Sequence, residues 1–189
     1  KRKAAERNCA IAGSVAVCEN GNYYNRFYFV YPDGAVQHYD KKHLFTFGGE
    51  HKRFTAGTER VVVNFRGVRI LLEVCYDLRF PVWARNLGDY DMILYVASWP
   101  TPRVDAWSAL LRARAIENQC YVAGVNRMGV DPACEYSGGS AIIDPYGKTI
   151  AECPWSRESA VSADIDMEAL QAFRKKFPVL DDADPFTLI

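Results

Sequence analysis

The sequence predicts a mixed α/β fold: a large sheet structure with helices outside. Three observations carry that prediction. Short β-prone runs recur along the whole chain, several of them are joined by turn signals of the Asn-Gly kind, and few segments have helical periodicity. Of the 189 residues, 49% are apolar and 24% charged, a globular composition and not a disordered one. That length suits one domain with a sizeable core. With no repeat, low-complexity tract or linker, residues 1–189 are expected to form a single domain.

The elements follow in order. Residues 1–7 read as the last turns of a helix. A strand over 10–17, the turn Glu19-Asn20-Gly21-Asn22, a strand over 24–31, the turn Pro32-Asp33-Gly34 and a short strand into Tyr39 make a β-meander. Residues 40–59 are irregular and charged. A hairpin over 60–76 turns at Arg66-Gly67, and 81–87 is helix-like. A strand covers 90–97. The segment 105–118 reads as an amphipathic helix with Trp107, Leu110, Leu111 and Ile116 on one side. A strand over 121–126, a hairpin over 140–152 turning at Pro145-Tyr146-Gly147, a last strand over 161–165 and a helix over 167–175 complete the chain, ahead of a Pro/Asp-rich tail.

Composition excludes several functions. Net charge is zero, and the basic residues are interspersed with acids, so no nucleic-acid partner is expected. The six cysteines (9, 18, 75, 120, 134 and 153) contain no C-x-x-C pair. The histidines at 38, 43 and 51 lack zinc-ligand spacing, so no metal site is expected. Free thiols in a chain of this size fit a reducing, cytoplasmic location. No apolar run reaches bilayer-spanning length and no signal-peptide core follows the N-terminus, so no membrane partner is expected.

The chemistry concentrates at Ile70-Leu71-Leu72-Glu73-Val74-Cys75-Tyr76-Asp77-Leu78-Arg79-Phe80-Pro81. An apolar strand runs up to Cys75 and breaks into a polar turn, which places a thiol at the carboxyl end of a core strand, where α/β proteins hold their sites. Free N–H groups at such a turn favour a thiolate and can hold an oxyanion. By position alone, an ordinary packing thiol is the commoner case. Tyr39-Asp40-Lys41-Lys42-His43-Leu44-Phe45 sets a lysine at a strand end, and Gly48-Gly49-Glu50 then delivers a carboxylate. Lys41 held against Glu50 in a cleft would stabilise negative charge on a carbonyl oxygen; on an open surface the two would be solvated charges.

Taken together these segments resemble the lysine, second-glutamate and cysteine motifs of the nitrilase superfamily, the carbon–nitrogen hydrolases. The resemblance continues through Ala97-Ser98-Trp99-Pro100, Arg112-Ala113-Arg114-Ala115-Ile116-Glu117-Asn118-Gln119, Gly124-Val125-Asn126-Arg127, Ser137-Gly138-Gly139-Ser140 and Asp144-Pro145-Tyr146-Gly147. Within the superfamily, Pro81-Val82-Trp83-Ala84-Arg85-Asn86 and Lys176-Phe177-Pro178 are most similar to the omega-amidase branch.

The resemblance implies a four-layer α-β-β-α sandwich, a homodimer to which the tail 177–189 could contribute, and a small amide substrate without metal or organic cofactor. The implied reaction is hydrolysis of the omega-amide of 2-oxoglutaramate or 2-oxosuccinamate through a thioester on Cys75. Lys41 and the Tyr76 N–H would hold the oxyanion, and Glu50 would position Lys41. Trp99 would wall the substrate pocket or pack in the core, while Arg79 and Glu117 are expected either as a buried structural ion pair or as supports behind the reacting groups. His43 is expected to be a structural hydrogen-bonder. The implied general-base glutamate belongs to a first βα region expected ahead of Lys1, and Glu6 is no substitute, so the chain is expected to be part of a longer protein. The alternatives on the same fold are an N-carbamoyl amino-acid hydrolase, a deaminated-glutathione amidase, or an inactive binding module.

Overall fold

The structure, a computed structural model, describes residues 1–187. After the short helix α1 (Arg2–Arg7), the strands β1 (Ile11–Glu19), β2 (Asn22–Val30) and β3 (Val36–Asp40) form an antiparallel sheet in sequence order. Asn20 and Gly21 take φ of 51° and 78°, as a two-residue I′ hairpin requires, and Glu19 pairs with Asn22 across it. The same device joins β4 (Val62–Phe65) to β5 (Val68–Val74), where Arg66 and Gly67 have φ of 51° and 81°.

Next along the chain come β6 (Met92–Ala97), α2 (Val104–Glu117), β7 (Tyr121–Asn126), the small hairpin β8 (Met128–Val130) and β9 (Glu135–Ser137), then β10 (Ala141–Ile143), β11 (Thr149–Glu152) and α3 (Met167–Lys176). A six-stranded sheet has the order β11-β10-β7-β6-β5-β4, with β5, β6 and β7 parallel. Asp166 caps α3 by accepting the Ala169 N–H at 2.8 Å, and Arg174 to Lys176 occupy its last turn, matching the helix dipole.

The alternation of β5 divides the core. Ile70, Leu72 and Val74 meet Phe27, Phe29 and Tyr39 of the three-stranded sheet. Leu71 points the other way, into a cluster with Ile93, Tyr95, Val122, Trp107 and Leu111, the last two from α2. The layers among the described residues are therefore sheet, sheet and helix, and the mixed α/β expectation holds.

Three local expectations fail. Residues 81–87 form turns and no helix; the Arg60 guanidinium takes the Trp83 carbonyl oxygen, which such a helix would use internally, and that of Arg85 as well. Residues 161–165 pair with no strand; the chain there runs to Asp166, whose backbone N–H and C=O both meet the Tyr121 hydroxyl. Ile116 is half exposed, and the buried side of α2 is Trp107, Leu111, Arg114 and Ala115. The tail 177–189 is described only to residue 187; Leu188 and Ile189 lie outside the described residues.

Candidate active site

The parallel strands β5, β6 and β7 bring their carboxyl ends side by side, delivering Cys75, Ser98-Trp99 and Asn126 to one rim of the sheet. Cys75 has a φ of 50°, a left-handed conformation that costs a side-chain-bearing residue about 1–2 kcal/mol. Its Sγ, partly exposed to a cleft of about 210 Å³, lies 3.8 Å from the Ser98 carbonyl oxygen.

Asp77 holds that turn. Wholly buried, it accepts from the Val74 N–H (3.0 Å) and the Tyr39 hydroxyl (2.9 Å) through one oxygen, and from the backbone N–H and Nδ1 of His43 (2.9 and 2.8 Å) through the other. One carboxylate thus ties the end of β5 to the segment after β3. His43 is the structural hydrogen-bonder expected, stacked on Phe80 at 3.8 Å.

Lys41 follows β3 directly and is 3% exposed. Its Nζ lies 2.5 Å from Glu50 Oε2, which also accepts the Phe45 N–H at 2.6 Å, while Glu50 Oε1 accepts from Asn25 Nδ2 at 3.1 Å. Lys41, Glu50, Cys75 and Tyr76 line the same cleft, and Trp99 and Arg79 flank it. Trp99 is at once wall and core: its indole packs on Trp107 and donates to the Arg103 carbonyl at 2.6 Å.

Arg79 and Glu117 do not pair. Arg79 is exposed and lies over the Trp99 ring at 5.0 Å, whereas Glu117 binds Arg114 at 2.8 Å, away from the cleft. Arg114 in turn donates to the Leu78 carbonyl at 2.5 Å, so Glu117 braces the turn after Cys75 from behind. The i,i+3 spacing on α2 favours Arg114 over a partner from another element.

Comparison with known proteins agrees with this geometry. Residues 1–175 match the carbon-nitrogen hydrolase family. The chain belongs to the carbon–nitrogen hydrolases. It is 53% identical over 187 residues to the omega-amidase YafV of Escherichia coli K12, covering 98% of this chain and 73% of that protein. It is 42% identical over 175 residues to the 2-oxoglutaramate amidase of Bacillus subtilis, covering 91% and 67%. The crystal structure of XC1258 from Xanthomonas campestris, a CN-hydrolase superfamily protein, superposes with a TM-score of 0.96 at 47% identity, over 99% of this chain and 74% of that one.

In this carbon–nitrogen hydrolase the electrostatics follow from burial. Burial alone would raise Glu50, but the Lys41 charge and the hydrogen bonds from Lys41, Phe45 and Asn25 outweigh it and hold the carboxyl below its ordinary value. Burial pushes the Cys75 thiol up, opposed chiefly by Lys41. Sequence reasoning missed Asn25, Asp77 and Arg103 and left Asn126 open. Asn126 accepts the Trp99 N–H at 2.7 Å and donates to the carbonyls of Trp99 and Gly138 at 3.0 and 2.7 Å, locking the rim. Its position at the end of a core strand was the available signal. Among the described residues no helix is long and apolar enough to cross a membrane.

Proposed function

We propose that this chain hydrolyses the omega-amide of a 2-oxo dicarboxylic monoamide, 2-oxoglutaramate first, and that Cys75 is the nucleophile. The observation that carries the reading is the meeting of Cys75 with the buried Lys41–Glu50 pair in one cleft. The 42–53% identity to an omega-amidase and a 2-oxoglutaramate amidase supports the substrate.

In this reading the sulfur attacks the amide carbonyl carbon, and the oxygen takes up negative charge facing Lys41 Nζ and the Tyr76 N–H. The C–N bond breaks, the leaving nitrogen takes the proton given up by the Cys75 thiol and departs as ammonia, and water then cleaves the thioester, its oxygen joining the acyl carbon and a proton returning to sulfur, to give the thiol and the 2-oxo dicarboxylate. Glu50 already accepts from three donors and sits below the ordinary carboxylate value, so it orients Lys41 and is poorly suited to take a proton. Trp99 walls the pocket and Arg79 offers a cation at its rim. Residues 1–189 act as one domain of a cytoplasmic homodimer.

The test is ammonia release from 2-oxoglutaramate by the full-length protein. Cys75→Ala and Lys41→Ala abolish it in this scheme. Release that persists in Cys75→Ala overturns the mechanism, and turnover confined to N-carbamoyl amino acids overturns the substrate.

A further inference from the structure

The cleft holds a second guanidinium that the reaction scheme leaves unused. Arg103 ends the turn Thr101–Arg103, between β6 and α2, and lines the cleft together with Arg79. Arg79 lies over Trp99 at 5.0 Å, and Arg103 lies over Phe45 at 5.4 Å. Among the described residues no carboxylate pairs with either, although the buried arginines 26 and 114 are both paired. We propose that Arg103 is a specificity-determining residue, binding the carboxylate of an anionic amide whose carbonyl lies at Cys75. This deepens the omega-amide reading and rests on it.

The mounting of Arg103 supports the assignment. Its backbone N–H donates to the Pro100 carbonyl at 3.0 Å, its carbonyl takes the Trp99 indole, and Pro100 and Pro102 stiffen the turn between. The ring beneath it belongs to Phe45, whose own N–H is fixed to Glu50. The guanidinium is therefore held at a set place relative to the Lys41–Glu50 pair, and little side-chain freedom is lost when an anion binds. An arginine fork against a carboxylate forms paired, charge-assisted hydrogen bonds that a neutral amide cannot match.

The experiment compares wild type, Arg103→Met and Arg103→Lys in the full-length protein, on 2-oxoglutaramate and on the neutral amide butyramide. Methionine keeps the contact with Phe45 and removes the charge. The kcat/KM ratio of anionic to neutral amide should fall roughly ten- to hundredfold in Arg103→Met, mainly through KM, with Arg103→Lys between. A second readout follows Cys75 by mass spectrometry: alkylation by iodoacetate should slow relative to iodoacetamide in Arg103→Met. An equal loss on both substrates, with no change in the alkylation ratio, makes Arg103 a structural part of the turn and overturns the proposal. Unchanged ratios in both assays overturn it too. If wild type fails on 2-oxoglutaramate, the omega-amide reading fails. The alkylation ratio then still decides whether Arg103 meets anions at Cys75.

Discussion

Glu73 is the most exposed assumption of this fold in energetic terms, and replacing it tests how the core handles charge. It sits two residues before Cys75 on β5, wholly buried, and neither carboxyl oxygen has a hydrogen-bond partner. Burial is the main force raising its pKa well above the ordinary 4.5, and the Asp77 charge adds to it. Arg60 and Arg114 oppose from a distance. The Trp83 indole opposes it less than they do, and its Nε1 has no hydrogen-bond partner of ordinary geometry. Burial therefore favours the neutral carboxyl of Glu73 in the folded protein.

The sign follows from linkage. The folded state keeps a proton that the unfolded chain releases above pH 4.5, so Glu73 lends its full stability below that value and loses it as pH rises towards the folded pKa. The loss is about 1.4 kcal/mol per pH unit, or about 3 kcal/mol between pH 4.5 and 7 for a carboxyl still protonated at pH 7. Glu73→Gln keeps the shape and cannot ionise. Urea titrations of both proteins at several pH values from 4.5 to 7 should show the variant gaining on wild type at about that slope, whatever the constant offset from burying an amide. Parallel stability curves would mean that Glu73 ionises normally inside the fold, and the reasoning from burial would be refuted.

Two further substitutions probe the site. Lys41→Met removes the main influence lowering the Cys75 pKa, so burial should push the thiol higher still; iodoacetamide labelling of Cys75 at pH 8 should slow, and the midpoint of its pH–rate profile should move up. Gly57→Ala drives a Cβ into the Asp40 carbonyl, beside the backbone bond from Gly57 N–H to the Lys41 carbonyl. An overpacking cost of about 1–3 kcal/mol is expected by chemical denaturation, with lower amidase activity as Lys41 shifts.

What could be read from the sequence was what the chain decides locally. Asn20-Gly21 and Arg66-Gly67 had to be turns because few other pairs tolerate two successive positive φ angles, and both are. Cys75 was legible as the point where an apolar run meets a polar break. The helix expected at 81–87 is replaced by turns, and Arg60, more than twenty residues away, claims two of that segment's carbonyls. The hairpin β8–β9 has three-residue strands, too short to show alternation; its turn is held by Asp131, which accepts from the N–H groups of Ala133 and Cys134. Pairing choices were equally hidden: nothing in the spacing said that Glu117 would take Arg114 and leave Arg79 at the cleft.

The same distinction explains how the site is built. Cys75 and Lys41 come from different sheets and are 34 residues apart, and no local preference brings them together. Asp77 does so by accepting at once from the end of β5, from Tyr39 on β3 and from the backbone N–H and Nδ1 of His43. Its four donors come from three separate residues, so loss of this carboxylate would leave several buried polar groups without partners, each costing about 1–3 kcal/mol. A buried acid two residues after the nucleophile therefore fixes the distance between thiol and cation, as the packing of two apolar sheet faces alone would not. Apolar packing tolerates small slides. Four directed hydrogen bonds to one carboxylate do not.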